Sequence, residues 1–250
     1  MSDLKDRIIL ITGAGDGIGR VAAIHAASRG ATLILLGRTI SKLEKVYDDI
    51  LSAGYPEPSI ALMDLENAGV ESTNELFDAV NENYGRLDGL LHNASVLGEQ
   101  LPIEQYSPAT WQSVIQVNLN ASFLLTHILM PLLQKSDDGR IIFTSSGVGR
   151  IPRAYWGAYS VSKYAIEGFA KILADELEKT SRIRVSIVNP GATRTNMRAE
   201  AYPTENPETL KTATELMPLY AYLLGPDSRM EHGKLFTPDW IEANIKQRST

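Results

Sequence analysis

Short runs of apolar residues, many of them β-branched, alternate along the chain with segments of helical periodicity. The runs are continuous rather than interleaved with polar residues, which is typical of strands covered by helices on both faces. They lie at Arg7 to Thr12, Thr32 to Leu36, Ile60 to Met63, Leu87 to His92, Arg140 to Thr144, Ile183 to Val188 and Leu235 to Thr237. The pattern predicts an α/β fold with a doubly wound parallel sheet of about seven strands and helices on both faces.

The intervening segments carry apolar residues at helical spacing, as in Ile18, Val21, Ala22 and Ala26. Glycine and proline fall at turns and form no linker, so residues 1–250 are interpreted as one domain. Residues 199–225 are rich in Pro, Thr and Glu, and we expect a substrate lid at about residues 193–225. An atypical C-terminal tail is expected at about residues 226–250.

Composition and charge exclude several classes of protein. With 44% hydrophobic and 22% charged residues in 250 positions, the chain can bury a large core, which excludes disorder as its main state. The formal charge of −6 includes no run of like charges, so nucleic acid is not an expected partner. The chain has no cysteine and its four histidines show no ligand spacing, so no metal site is expected. The first apolar stretch, Ile8 to Ile11, is too short for a signal peptide or a membrane span, which favours a soluble cytoplasmic protein.

A glycine-rich loop directly follows the first predicted strand. It reads Thr-Gly-Ala-Gly-Asp-Gly-Ile-Gly over residues 12–19 and runs into a predicted helix. Glycines there allow the backbone to approach a pyrophosphate, whose charge the helix start would hold. A tight turn without a ligand is the alternative, but the strand-loop-helix context favours a dinucleotide. The expected cofactor contacts in this loop are Gly13, Gly15, Asp16, Gly17, Ile18 and Gly19.

The residues after the second and third strands bear on the choice of dinucleotide. An acidic residue after the second strand binds the ribose 2′-hydroxyl of NAD, whereas a basic residue binds the 2′-phosphate of NADP. Arg38 stands there, with Lys42 close behind it, so NADP(H) is favoured and NAD(H) is the alternative, although Asp16 counts against a nearby phosphate. Asp64 closes the third strand, where it either accepts from the adenine amino group or caps the next helix.

Tyr159 and Lys163 are four residues apart in a helical pattern and therefore share one helix face. Reduction of a carbonyl by hydride transfer needs a proton donor, and a phenol serves when its pKa of about 10 falls toward the working pH. An ammonium about 4 Å away would lower the pKa of the phenol by about three at an effective dielectric of about 20. The pair is a candidate for this proton transfer.

Two further polar positions accompany this pair. Ser146 follows the fifth strand, at the sheet edge that holds ligands in such folds, and its hydroxyl can hold a carbonyl oxygen. The neighbouring Ser145 is the alternative, since successive residues of a strand face opposite sides. Asn118 interrupts an apolar helix, and a buried amide needs hydrogen-bond partners. It is interpreted either as a structural residue or as the anchor of a water in a proton path from Lys163.

These motifs resemble those of the short-chain dehydrogenase/reductases of the Tyr-x-x-x-Lys type, and in detail those of YciK-type bacterial oxidoreductases. The resemblance spans residues 7 to about 225 and rests on TGAGDGIG, Asp64, HNAS at 92–95, Asn118, Ser146, YSVSK at 159–163 and NPGATRT at 189–195. It implies a single Rossmann domain and a catalytic set of Asn118, Ser146, Tyr159 and Lys163, which selects Ser146 over Ser145. It also implies cofactor contacts from Leu65, Asn93, Ala94, Tyr159, Lys163, Pro190, Gly191, Thr193 and Thr195.

The resemblance further implies a homodimer or homotetramer, formed through the helices that contain Trp111 and Phe169. Two departures from the family pattern bear on the site and on subunit contacts. Ser95 stands where the family usually has a glycine beside the nicotinamide ribose, which is expected to alter the backbone there. The usual Asp-Gly-Gly ending is missing, and the tail from Lys234 has a different sequence.

The leading functional hypothesis is an NAD(P)-dependent oxidoreductase that reduces a small carbonyl compound with NADPH, or oxidises the alcohol. A dinucleotide-binding sensor or scaffold without turnover is the alternative. Reduction of a double bond ranks last, because the resemblance implies a wider Tyr-to-Lys spacing for it. An anionic or aromatic substrate and a solvated surface are competing interpretations of Arg150, Arg153, Tyr155, Trp156, Arg194 and Arg198.

Overall fold

Seven strands form one sheet in which every neighbouring pair is parallel, in the order β3-β2-β1-β4-β5-β6-β9. The structure is a computed structural model that describes residues 3–244. The sheet strands are β1 (Ile8–Thr12), β2 (Thr32–Gly37), β3 (Ser59–Leu62), β4 (Gly89–His92), β5 (Arg140–Thr144), β6 (Arg184–Val188) and β9 (Lys234–Phe236). The predicted doubly wound parallel sheet and its seven strands are confirmed.

Helices connect the strands and cover both faces of the sheet. They are α1 (Gly17–Ser28), α2 (Ile40–Ser52), α3 (Val70–Tyr84), α4 (Pro108–Ile115), α5 (Ala121–Gln134), α6 (Gly157–Leu177), α7 (Asn196–Ala201), α8 (Ala213–Leu224) and α9 (Pro238–Asn244). Residues Gln116–Asn120 between α4 and α5 are π-helical. Short 3₁₀ turns lie at Ile103–Gln105, Gly147–Gly149, Pro207–Thr209 and Pro226–Ser228.

The sheet separates two apolar layers, and alternate residues of each central strand enter opposite layers. Ile9 and Ile11 of β1 pack in the layer that contains α1, α2 and α8. Ile8 and Leu10 pack in the layer that contains α3, α5 and α6. Because both faces of the strands are buried, β1 has no polar face, which explains its continuous apolar sequence.

The order of strands reverses on the two sides of β1, since the chain passes outward through β2 and β3 and then returns to β4 beside β1. In open sheets of this kind, the loops at the carboxyl ends of the two strands diverge and leave a crevice between them. The glycine-rich loop follows β1, and residues 93–98 follow β4. The fold therefore brings these two segments to the same crevice.

The region predicted as a lid divides into two parts. Residues 193–212 lie outside the sheet, and their ends form β7 (Thr193–Arg194) and β8 (Lys211–Thr212), which pair with each other. Residues 213–224 instead form α8, whose Leu216, Leu219 and Leu223 are fully buried in the core. The lid prediction is therefore wrong for α8, because its apolar sequence makes it a crossover helix between β6 and β9. We call residues 193–212 the cover segment.

The predicted C-terminal tail contributes its described part to the domain, since β9 pairs with β6 and is followed by α9. Residues 245–250 of that prediction lie outside the described residues. One described helical stretch, Pro108–Gln134, has the length and hydropathy of a membrane span. Its α5 portion buries Leu125, Leu129 and Leu132 in the core.

Candidate active site

A cleft of about 650 Å³ lies at the carboxyl ends of the central strands. Its lining brings together most of the residues that the sequence predicted for a cofactor and for catalysis. They are Gly13, Gly15, Asp16, Gly17, Ile18, Arg38, Asp64, Leu65, Asn93, Ala94, Ser146, Tyr159, Lys163, Pro190, Gly191, Thr193 and Thr195. Gly19 and Asn118 are not among the lining residues. Gly19 packs against Gly13 and Asn118 is hydrogen-bonded to Val96, and both of these neighbours line the cleft.

The glycine-rich loop needs its glycines for two different physical reasons. Gly13 and Gly17 have φ values of +68° and +53°, in the left-handed region that residues with a side chain rarely adopt. Gly19 is packed so closely that a Cβ would lie 2.2 Å from the carbonyl oxygen of Gly13. The first turn of α1 therefore sits directly against the loop, and its backbone N–H groups lie where an anion can be held.

Asp16 joins three parts of the chain at the edge of the cleft. Its carboxylate caps α1 by accepting from the Gly17 N–H at 2.7 Å. It also forms an ion pair with Lys42 Nζ at 2.6 Å and accepts from Asn196 Nδ2 at 3.1 Å. The Lys42 hydrogen bond contributes most to lowering the pKa of Asp16. The carboxylate that counted against a nearby phosphate is thus paired with a cation.

Arg38 follows β2 as predicted, is exposed and lines the cleft. The structure gives it no ion pair with another described residue. Its guanidinium therefore remains available to a ligand, in contrast to Lys42.

Asp64 lines the cleft after β3 but does not cap the following helix. Its Oδ1 accepts from the Glu66 N–H at 3.2 Å and its Oδ2 accepts from Asn67 Nδ2 at 2.8 Å. The N-cap of α3 is Gly69. Helix capping was one of two open interpretations of Asp64, and it is wrong because α3 begins at Val70, six residues after Asp64.

The segment after β4 is tied to β1 by the hydroxyl of Thr12, a residue to which the sequence analysis gave no role of its own. Thr12 Oγ1 accepts from the backbone N–H groups of Asn93 at 2.9 Å and Ala94 at 3.0 Å. It donates to the carbonyl oxygen of Leu91 at 3.3 Å. A hydroxyl at the end of an otherwise apolar strand was the available signal. Ser95, next in the chain, has a buried Oγ with no hydrogen-bond partner among the described residues.

Ser146, Tyr159 and Lys163 meet at the end of β5. The Ser146 hydroxyl lies beside the Tyr159 phenol. Lys163 Nζ lies 5.4 Å from the centroid of the Tyr159 ring and donates to the carbonyl oxygen of Thr144 at 2.9 Å. Tyr159 and Lys163 are both buried. The spacing of four residues thus places the two side chains on one face of α6, as predicted.

The pKa of Tyr159 differs from the expectation. Burial raises the pKa of Tyr159 to about 12, although the hydrogen bond from Ser146 acts in the opposite direction. Burial lowers the pKa of Lys163 to about 8. The predicted lowering of the phenol pKa by a close ammonium is therefore wrong for this arrangement, because loss of hydration on burial disfavours the charged form of the phenol. At neutral pH the phenol carries its proton.

The two adjacent serines after β5 face different partners. Ser145 Oγ donates to Glu167 Oε1 at 2.7 Å and is buried. Arg150 Nε donates to the other oxygen of the same carboxylate at 3.1 Å. The Ser146 hydroxyl is the one beside Tyr159. Glu167 was not predicted from the sequence, and it stands on the buried face of α6 between Ile166 and Ala170.

Asn118 lies in the π-helical segment, and its side-chain amide is engaged by the protein. Its Oδ1 accepts from the Val96 N–H at 2.8 Å, and its Nδ2 donates to the Val96 carbonyl oxygen and to Ser162 Oγ, each at 3.0 Å. Ser162 Oγ in turn donates to the carbonyl oxygen of Tyr159 at 2.7 Å. These contacts match the structural interpretation, in which Asn118 fixes the segment after β4 against α6.

The segment after β6 closes the far side of the cleft. Thr195 caps α7 by accepting from the Arg198 N–H at 3.2 Å. Thr193 is buried, and Gly191 has a φ of +69°. Pro190 and these residues border the cleft opposite the glycine-rich loop. Within residues 3–244 no three His, Asp or Glu side chains converge on a point that could hold a metal ion.

Comparison with known proteins gives consistent matches. The family model described as short chain dehydrogenase matches residues 7–206. YciK of Escherichia coli (strain K12), named an uncharacterized oxidoreductase, is 52% identical over 233 residues, which are 93% of this chain and 92% of that protein.

Two solved structures show the same fold at high identity. A short chain dehydrogenase from Shigella flexneri 2a str. 301 complexed with NADP is 50% identical with a TM-score of 0.92, covering 96% of this chain and 100% of its own. One from Escherichia coli CFT073 complexed with NADPH is 51% identical with a TM-score of 0.91, covering 94% of this chain and 98% of its own.

Proposed function

The chain is an oxidoreductase of the short-chain dehydrogenase family, and from this premise we propose that it reduces a small carbonyl compound with NADPH and oxidises the alcohol in the reverse direction. The observation that carries the proposal is the group of Ser146, Tyr159 and Lys163 at the end of β5, in which Tyr159 and Lys163 are buried. It combines a neutral phenol, a hydroxyl and an ammonium group at one end of a cleft that fits a dinucleotide.

The cleft fits a dinucleotide because its glycine-rich loop has the backbone of an anion cradle. The positive φ of Gly13 and Gly17 disfavours a side chain at either position, and the close packing of Gly19 against the Gly13 carbonyl oxygen leaves no room for one there. Arg38 supports NADP over NAD, since its unpaired guanidinium can bind a phosphate through two parallel hydrogen bonds. The Shigella and Escherichia structures that contain NADP and NADPH support the same choice. When bound, NADPH supplies the hydride.

The side chains perform the remaining steps. Ser146 donates a hydrogen bond to the carbonyl oxygen and so fixes and polarises it. Tyr159 holds a proton at neutral pH and transfers it to that oxygen as negative charge develops there. Lys163, with its pKa lowered to about 8, still carries a proton at neutral pH and stabilises the resulting tyrosinate. Asn118 and Thr12 hold the segments that border these groups and are positioning residues.

A sensor or scaffold that binds the dinucleotide without turnover is the second candidate. It requires neither a proton donor nor a hydroxyl at the reacting end of the cleft. The presence of both, side by side in the lining of the cleft, favours the enzyme.

We further propose that the protein forms a homodimer or homotetramer through α6 and the helical stretch Pro108–Gln134, which contains Trp111. The structure exposes Phe123, Val161 and Ile172 on these helices, with relative exposures of 49%, 46% and 60%. Phe169, which the sequence placed at such a contact, packs against Phe123 with ring centroids 6.0 Å apart. Large apolar side chains exposed together favour an interface.

The experiment that tests the catalytic proposal is the substitution Tyr159→Phe. We expect NADPH oxidation in the presence of an aldehyde to fall by roughly 10² to 10⁴ in kcat, because only the proton donor is removed. The stabilisation of the protein by NADPH should remain. Tyr164→Phe is the matched control, since Tyr164 is an exposed tyrosine on the same helix that donates to the Arg150 carbonyl oxygen. Undiminished turnover in Tyr159→Phe would refute the mechanism, and NADPH binding without turnover of any carbonyl would favour the sensor.

A further inference from the structure

The arginines near the reacting end of the cleft are already engaged by the protein. Arg198 lines the cleft, and its guanidinium forms two hydrogen bonds of 2.6 Å with the carboxylate of Glu205. The same guanidinium lies 3.8 Å from the centroid of the Tyr202 ring. Because Glu205 binds one edge of the Arg198 guanidinium and Tyr202 covers its face, Arg198 offers no unpaired charge to a ligand.

The other arginines of this region offer no unpaired positive charge to the cleft either. Arg150 is paired with Glu167 and Arg194 with Glu208, each at 3.1 Å. Arg153 donates to the Tyr202 hydroxyl at 2.9 Å and is not among the residues that line the cleft. Glu200 does line it, is exposed, and forms no ion pair with a described residue. The negative charge of Glu200 therefore disfavours binding of a negatively charged substrate beside it.

An apolar wall stands beside the proton donor. Tyr159 belongs to a small hydrophobic cluster with Leu97, Val148, Trp156 and Met197. The ring centroids of Trp156 and Tyr159 are 5.7 Å apart. Flat aromatic and thioether surfaces at this position favour contact with a ring.

The cover segment holds that wall in place. Tyr202 of the cover segment packs on Trp156 with ring centroids 5.8 Å apart. The Arg198 pair with Glu205 and the Arg153 bond to Tyr202 fasten the end of α7 on this aromatic stack. The same contacts that neutralise Arg198 thus shape the apolar wall.

We propose that this subsite takes an uncharged carbonyl compound with an apolar ring next to the carbonyl group and rejects its carboxylate analogues. A buried carboxylate would find no unpaired arginine there, whereas a ring would gain contact with Trp156 and Met197. This inference rests on the proposed function, because it names the substrate class of the same site.

The test compares three aldehydes with NADPH as reductant. Benzaldehyde carries an uncharged ring, 4-formylbenzoate adds only a carboxylate, and propanal has no ring. We expect kcat/KM for benzaldehyde to exceed that of both others by at least about tenfold. Equal or better use of 4-formylbenzoate, or of propanal, would overturn the inference and leave the carbonyl reductase intact.

Variants of the cover segment and of Trp156 test the inference further. Glu205→Gln removes the charge that neutralises Arg198. We expect it to lower the ratio of kcat/KM for benzaldehyde to kcat/KM for 4-formylbenzoate by about threefold or more. Glu208→Gln is the matched control, because it frees Arg194, which does not line the cleft. Trp156→Leu should raise KM for benzaldehyde and leave KM for propanal within about twofold of the native value. An unchanged ratio in Glu205→Gln would contradict the role given to the Arg198 pair.

A binding measurement separates failure of the inference from failure of the function. In the presence of NADP, benzamide should quench tryptophan fluorescence at concentrations about tenfold or more below those needed for benzoate. If benzamide binds in this way and no aldehyde is reduced, the subsite stands and the reductase proposal falls. If benzoate binds as well as benzamide, the inference falls whatever the turnover.

Discussion

Arg38 provides a cofactor prediction at the scale of a single residue. We expect NADPH to stabilise the native protein more than NADH, and Arg38→Asp to reverse that order, because an aspartate repels a 2′-phosphate and accepts from a 2′-hydroxyl. A ligand at about 100 times its Kd adds roughly 2.7 kcal/mol, or about 5 to 10 °C in Tm for a chain of this size. Thermal unfolding with each nucleotide measures the effect.

Arg182→Asp is the control for that experiment, since Arg182 is exposed and pairs with Asp137 away from the cleft. It changes the net charge equally and should leave the order of the two nucleotides unchanged. Equal stabilisation of the native protein by NADPH and NADH would contradict the role of Arg38.

His92 is a buried group whose titration predicts the acid stability of the protein. Its ring stacks on Phe143 with centroids 4.7 Å apart, and its Nε2 lies 2.9 Å from Thr126 Oγ1. Since Thr126 Oγ1 donates to the Ser122 carbonyl oxygen, the histidine is the donor in that pair. Burial lowers the pKa of His92 to about 3 from 6.5. Below pH 6.5 His92 is protonated in the unfolded chain but stays neutral in the folded protein, so the free energy of unfolding falls as the pH drops.

The expected loss from His92 is about 2 kcal/mol between pH 7 and about pH 5. His92→Gln keeps a donor for Thr126 without the titration, and its free energy of unfolding in urea should fall by about 2 kcal/mol less over that range. His127→Gln, a change at an exposed histidine, should behave as the native protein does. Identical pH dependence in all three proteins would show that His92 is not the titrating group.

The residue scale also marks the limit of what the sequence predicts. Spacing alone placed Tyr159 and Lys163 together, since helical periodicity fixes which side chains share a face. It did not predict the raised pKa of Tyr159, because desolvation depends on packing by distant segments. Spacing also did not decide whether Ser145 or Ser146 faces the site, and only the family resemblance favoured Ser146. In the structure Ser145 is bonded to Glu167 instead.

Among the elements, the π-helical segment Gln116–Asn120 joins the helix pair α4 and α5 to the site. Insertion of a π turn reorients a helix locally, and here it aims the Asn118 amide at the segment after β4. The sequence showed a polar interruption at Asn118 but not the change in helix type, because the periodicity on either side continues.

This segment yields a prediction for Asn118→Leu. The change removes the partners of the Val96 N–H and carbonyl groups, and we expect a loss of about 2 to 4 kcal/mol in the free energy of unfolding together with reduced kcat. Asn120→Leu is the control, because Asn120 is exposed and bonds only to the Gln116 side chain among the described residues. Chemical denaturation and turnover measure both. Full stability in Asn118→Leu would show that the amide is not needed to hold that segment.

Other elements show which patterns were informative. The central strands were predicted nearly to the residue, because burial on both faces leaves an uninterrupted apolar run. The short pair β7 and β8 was not predicted, since two residues carry no periodicity. Residues 213–224 were misassigned by composition, although their buried face, with Leu216, Leu219 and Leu223, has the spacing of a helix.

On the scale of the whole molecule, the sheet order makes sequence motifs converge. The glycine-rich loop, the segment after β4 and the end of β5 are far apart in sequence but follow neighbouring strands of one parallel sheet. Their meeting could be predicted from fold class alone. The bond between Asp16 and Asn196 could not, because it joins residues 180 positions apart through a segment with no regular pattern.

The cover segment has a consequence for how this molecule can diversify. Its two ends, β7 and β8, pair with each other, and it is followed by α8, which is anchored in the core. A loop that closes on itself at its base can be lengthened, shortened or exchanged between relatives without changing the register of the sheet. Substrate preference can therefore diverge in separate lineages by replacement of the middle of this loop, while the sheet and the glycine-rich loop are inherited unchanged.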